Sequence, residues 1–162
     1  MQPRPSSRLA LVTLGLATLA LSACALTQKK REPRQTCAPE TVEHMKKWGV
    51  ESGRQATVVL EAGQPGGAND YGTYRQGQLT SQLAGALGEL PAGTLLDGVL
   101  WTETGKVQAH YTTARTPDGQ THPVCFVLGS SAPGGMYAEA GTTPGALILP
   151  KSAPVTSVDT FE

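Results

Sequence analysis

The chain has 162 residues with 13 Lys plus Arg against 13 Asp plus Glu, which bounds it to one domain plus a tail. Zero formal net charge argues against a protein built around nucleic-acid phosphates, and a charged fraction of only 16% argues against a highly charged disordered chain. Gly 19 and Pro 12 together make about 19% of the chain, above ordinary usage and below low-complexity disorder, so a loop-rich, mainly β fold is expected.

In chain order, the first element is an export signal. Arg4 and Arg8 form a positive n-region, and residues 9–21 (LALVTLGLATLAL) are an uncharged run. That run has the length of a signal-peptide h-region and falls short of the roughly 20 apolar residues that span a bilayer. Leu21-Ser22-Ala23-Cys24 follows. The segment 1–24 resembles the lipobox signal of bacterial lipoproteins. The resemblance implies a diacylglycerol on the sulfur of Cys24 and cleavage between Ala23 and Cys24. It also implies, in many such proteins, acylation of the new α-amine. Two or three acyl chains hold stably where one holds marginally, at about 0.8 kcal/mol per buried CH₂. Residue 25 is Ala and not the Asp that usually retains such lipoproteins in the inner membrane. The expected location is therefore the bacterial cell envelope, lipid-anchored in the outer membrane and facing the periplasm or the cell surface.

Residues 25–36 (ALTQKKREPRQT) carry Lys29, Lys30, Arg31 and Arg34 against Glu32. Beyond them the chain is acidic on balance. A basic segment beside the lipid is drawn to anionic head groups by about 1 kcal/mol per charge. The same residues read equally as a solvated tether, spanning about 20 Å as a coil.

Residues 39–48 predict a short helix, with Pro39 in the first turn and Gly49 just past the end. Glu40 and Glu43 early, and Lys46 and Lys47 late, complement the helix dipole. Val42, Met45 and Trp48 form one apolar stripe suited to core packing. Residues 55–61 predict a strand, and residues 63–71 a loop. Residues 79–90 leave strand and helix both open. Leu79, Leu83, Leu87 and Leu90 fit a helix face, while Gly85 and Gly88 weaken one. Residues 94–103, 106–115 and 120–128 are three strand-like runs, the first apolar on both faces like a central strand. Thr116-Pro117-Asp118-Gly119 has type I turn chemistry. That turn pairs Tyr111 with Val124, Ala109 with Phe126 and Val107 with Leu128 on one face. Cys125 then falls on the other face, opposite His110. Residues 146–149 and 155–161 predict short edge strands, or a frayed end.

With Cys24 assigned to lipid, Cys37 and Cys125 remain, and outside the cytoplasm two such thiols read as one disulfide. It closes a loop of roughly 90 residues and stabilises by about 4.6 kcal/mol in the chain-entropy model. Cys37 must then approach the Cys125 face and bring the 39–48 helix over it. The expected organisation is a signal peptide (1–23), a lipidated Cys and basic tether (24–36), and one disulfide-stapled domain (37–162). The expected fold is mainly β: a small antiparallel sheet or partly open barrel with one short N-terminal helix.

Catalytic signatures are sparse. Gly105-Lys106 fails the P-loop spacing and reads as a hairpin turn. Gly129-Ser130-Ser131-Ala132-Pro133 lacks the closing Gly of a nucleophile elbow. His110 and His122 fall on opposite faces of their hairpin, which argues against a shared metal, and His44 lies far away in sequence. Trp101, Tyr111 and Phe126 suit core duty better than a pocket lining. No catalytic, metal or cofactor residue is assigned. An enzyme would need carboxylates assembled in space, with Glu61, Asp70, Asp97, Glu103 and Asp118 as candidates.

Two shorter phrases carry resemblances. Leu90-Pro91-Ala92-Gly93-Thr94-Leu95-Leu96-Asp97-Gly98-Val99-Leu100 resembles the Pro-x-Gly-Thr-x-x-x-Gly-x-Leu phrase of β-barrel subunits of type IV secretion pores, which implies a small barrel. Leu90-Pro91-Ala92-Gly93-Thr94, Leu100-Trp101, residues 114–119 (ARTPDG) and Pro123-Val124-Cys125 are similar to a small Cys-bounded exported domain of some high-GC bacteria. Chains with that domain are sometimes labelled Ser/Thr kinase, yet no Gly-x-Gly-x-x-Gly, His-Arg-Asp or Asp-Phe-Gly stands here. The functional expectation is a membrane-anchored binding or structural module, with the membrane and an envelope protein or the cell wall as partners and no nucleic acid. The alternatives are an envelope enzyme and an accessory to Ser/Thr kinase signalling.

Overall fold

The computed structural model describes residues 37–103, 105–143 and 145–161. Ala23, Cys24 and the tether expected at 24–36 lie outside the described residues. Helix α1 (Pro39–Lys47) begins with Pro39 in its first turn and carries Glu40 early and Lys46 and Lys47 late. It closes with Gly49 N–H donating to Lys46 and Val50 N–H donating to Met45, a pairing that satisfies two terminal carbonyls. Thr41 and Met45 are its buried residues.

The strands are β1 (Gln55–Leu60), β2 (Tyr71–Tyr74), β3 (Gly77–Leu83), β4 (Leu95–Glu103), β5 (Lys106–Arg115), β6 (Thr121–Leu128), β7 (Met136–Tyr137), β8 (Leu147–Pro150) and β9 (Ser152–Ser157). Strands β1, β3, β4, β5, β6 and β9 pair antiparallel in that order, and β9 returns to β1. The result is a closed six-stranded barrel, which removes the unpaired strand edges that an open sheet would expose. Two-residue β7 adds to the margin of β5. Strands β2 and β8 form a separate pair whose Tyr74, Leu147 and Leu149 join the barrel's core. The mainly β expectation with one helix and one disulfide holds, and the barrel closes where a small sheet or a partly open barrel was expected.

Alternation along each strand points one set of residues inward. Leu60, Leu83, Leu100, Tyr111, Phe126 and Leu128 fill the barrel and are fully buried. Ser81 is a polar member of the inner set and hydrogen-bonds the Tyr111 hydroxyl at 2.8 Å. Residues 79–90, open between helix and strand, divide. The first part finishes β3, whose inward Leu79, Ser81 and Leu83 follow the two-residue strand period. Leu87 and Leu90 then bridge each other across a turn.

The β5–β6 register differs from the expected one. Tyr111 pairs with Phe126 and not Val124, and Ala114 pairs with His122. Two bulges account for the shift. The expected turn forms, with Gly119 N–H donating to Thr116 at 2.9 Å. Gly119 adopts φ 88, so Gln120 is added before the ladder begins and the pairing slips by one. Thr112 is then an extra residue against β4, while on β6 Val124 and Cys125 together oppose Thr112, which slips the β5–β6 pairing by one again. Two slips restore the parity, so the apolar face is retained although its partners change. Opposite this bulge Gly98 meets the β5 backbone so closely that a Cβ there would lie 2.1 Å from the carbonyl of His110. Only glycine fits that approach.

The C-terminal run is also corrected. Residues 155–161 were expected as an edge strand, but β9 spans Ser152–Ser157 and lies between β1 and β6 as the closing strand of the barrel. Its inner residues Ala153, Val155 and Ser157 are small, so the closure reads weakly as a hydrophobic pattern.

Candidate functional site

Cys37 and Cys125 are disulfide-bonded, with Cα atoms 5.9 Å apart. Cys125 lies on the outer face of β6, and α1 covers that face as the pairing requires. The Cys125 N–H also donates to the Met45 thioether at 3.1 Å, a second pin between helix and strand.

The barrel interior holds no acid–base pair among the described residues. Its titratable groups are phenols. Burial pushes Tyr111 well above the ordinary tyrosine range, and burial with the Glu61 charge pushes Tyr74 up to about 12. Both stay neutral and act as hydrogen-bonding fillers.

Four of the five candidate carboxylates are engaged, each separately. Glu61 accepts from Gln64 Nε2 at 2.6 Å, and Asp70 accepts from the Gly67 N–H at 2.6 Å. Asp97 accepts from Arg115 Nη2 at 2.9 Å and Nε at 2.5 Å, and from the Thr80 hydroxyl at 2.6 Å. The Arg115 guanidinium holds its carboxyl below the usual range. Asp118 accepts from Thr116 and Gln120 within its turn, and the Thr116 hydroxyl lowers its pKa most. Glu103 is exposed at the end of β4. These contacts orient each carboxylate toward its local neighbours.

The outer wall over β3 and β4 carries a cleft of about 500 Å³ lined by Glu61, Gln64, Pro65, Thr80, Gln82 and Leu95. It continues across Gln82 and Leu95 into a second hollow of about 340 Å³ beside Arg115, Thr116 and Pro117. Glu61 is the one carboxylate candidate that lines it. The loop forming one side is held from beneath by Lys151, which is only 2% exposed. Its ammonium donates to the carbonyls of Gln64, Pro65 and Gly66 at 2.8, 3.2 and 2.9 Å. Nothing in the sequence marks Lys151 for this role, since one lysine between Pro150 and Ser152 reads as a surface residue.

The histidines divide between two aromatic clusters. His110 lies on the outer face, edge-on to Trp101 with centroids 4.6 Å apart and stacked on Phe161 at 4.0 Å. Burial pushes its pKa down to about 4. His44 and His122 meet instead across α1 and β6, with Trp48 touching both. The structure therefore keeps His110 and His122 apart. It brings His44 and His122 together, which their separation in sequence concealed. Tyr111 and Phe126 do serve the core, whereas Trp101 packs outside the barrel on His110.

No family model matches the chain, and no curated protein or solved structure is significantly similar to it.

Proposed function

We propose that the chain is an envelope lipoprotein, anchored through Cys24 in the outer membrane, whose β barrel serves as a binding or structural module. The observation that carries the second half is the filled interior. Leu60, Leu100, Tyr111 and Phe126 turn into the barrel and are fully buried, which favours recognition on the outer walls. The cleft over β3 and β4 is the outer-wall hollow we assign to contact with an envelope protein or the cell wall. Strand β3 stands three strands from β6 in either direction around the ring. The chain is pinned at β6 by Cys37, so the cleft occupies the wall opposite the pin. The enzyme alternative draws little from the candidate carboxylates, four of which are held in their own local contacts.

Intact mass of the protein extracted from membranes tests the anchor. The expected chain starts at Cys24 and is heavier by diacylglycerol and acyl groups. A chain that starts elsewhere, or an unlipidated mass in a soluble fraction, would sink the reading. A photo-crosslinker placed at Gln82 in living cells should capture one envelope component that a crosslinker at Glu103 does not. Equal capture at both positions would remove the cleft from the proposal.

A further inference from the structure

We propose that His44 and His122 form a binding site for a late first-row divalent transition ion, Cu²⁺ foremost, with the Trp48 indole packed beside it. The two imidazole centroids are 6.0 Å apart with their planes tilted by 32°. A metal–nitrogen bond of about 2.0–2.1 Å, with the ring centre about 1.2 Å behind the nitrogen, sets each centroid roughly 3.2 Å from the ion. Two imidazoles on one ion then have centroids from roughly 4.5 Å apart when cis to roughly 6.4 Å apart when trans in a tetragonal set. The observed spacing falls inside that window.

The pair is also held in place before any ion arrives. His44 stands on α1 and His122 near the start of β6. The disulfide ties Cys37, two residues before the helix, to Cys125, three residues after His122. Met45 pins the same helix to the same strand through the Cys125 N–H. The Trp48 ring centroid lies 4.1 Å from that of His44 and 4.3 Å from that of His122, so the indole packs against both imidazoles. A site assembled this way meets its ordering cost during folding and not on binding. Both imidazoles remain half-exposed, so an ion can reach them.

Among the described residues no third His, Cys, Asp or Glu completes a set around the pair. Water therefore supplies the other positions, and the ion is exchangeable and not structural. Two nitrogens plus water oxygens suit the tetragonal preference of Cu²⁺, which also stands highest in the affinity order of divalent ions. Zn²⁺ and Ni²⁺ should bind the same site more weakly. The inference stands on α1 and β6 alone and does not depend on the lipid anchor.

The test uses the full chain in detergent, with Trp101→Phe so that Trp48 is the remaining tryptophan reporter. Titration with copper sulfate should quench Trp48 fluorescence saturably at about one equivalent, while His44→Gln and His122→Gln should each weaken the apparent affinity about tenfold or more. Quenching that never saturates, or that is unchanged in both variants, overturns the site. Electron paramagnetic resonance of the copper-loaded parent covers the case in which a variant fails to fold. Coupling to two imidazole nitrogens is the expected spectrum, and coupling to one or none overturns the proposal.

Discussion

The two outer walls of the barrel are built by the same strand alternation and end up in opposite conditions. Over β5 and β6 the outward residues include Cys125, Val127 and His110, and all three are buried. Over β3 and β4 they include Thr80, Gln82 and Asp97, none of them fully buried. The difference lies in what the rest of the chain brings. Helix α1 is held on β6 by the disulfide, and Phe161 from the C-terminal end lies on His110. Nothing among the described residues covers the cleft over β3 and β4 in that way. A fully buried outward residue in a small barrel thus signals a covering element, and an outward row left part-exposed, such as Thr80, Gln82, Leu95 and Asp97, signals a free wall. The comparison makes one wall covered and leaves the other free.

Removing the covalent pin is the largest available perturbation of the covered wall. Cys37→Ala and Cys125→Ala should each cost about 2–5 kcal/mol, by similar amounts, because either one opens the same loop. Urea unfolding of the two variants measures this directly. Melting curves that superimpose on the parent would mean that packing and not the disulfide holds α1 in place.

The cover over His110 is sensitive to acid. Its imidazole is neutral when folded, with a pKa of about 4 against 6.5 unperturbed. The unfolded chain binds the proton first as pH falls. The stability contributed by the neutral, stacked ring is therefore complete above pH 6.5 and is lost progressively as the pH drops from 6.5 toward 4. The size of the loss is about 3 kcal/mol at its upper end. Asp97 and Asp118, whose carboxyls are held below the usual range, titrate mainly beneath that window and leave it to His110. His110→Gln should start lower in stability and show a flatter profile across the window. A parent profile that stays flat from pH 6.5 to 4 would remove the burial argument.

Much of the covered wall was legible in the sequence. The bounds of β5 follow from its alternation, and Cys125 and His110 were placed on one face without any structure. That face survived only because two slips cancel. Neither the left-handed Gly119 nor the bulge that sets Val124 and Cys125 against Thr112 is visible in a hydrophobic pattern, since together they change partners while keeping parity. Closure of the barrel was less legible. The inward Ala153 and Ser157 are too small to mark β9 as central, and Pro154 discourages a ladder position. The site features depend on contacts between distant segments. His44 meets His122, and Lys151 reaches Gln64 to Gly66. Such pairs carry no local signal, because their spacing along the chain says nothing about their spacing in the fold.

The open wall supplies the smallest effect and the sharpest control. Asp97 is held by Arg115 and Thr80 on the surface of β4, and the Arg115 side chain is 46% exposed. Solvent screens such a pair, and ordering the long arginine side chain offsets part of its attraction. Asp97→Asn should therefore shift the melting temperature only slightly, and molar salt should shrink even that shift. The sign with pH is also defined. The carboxyl is held low, so its contribution is present above the ordinary carboxylate range and lost as pH falls through its native value. This runs below the His110 window, so the variant should leave the profile above pH 4 intact. A loss comparable to that of the cysteine variants would mean that the Asp97–Arg115 pair is part of the frame. The cleft beside it could then no longer be read as a wall left free for a partner.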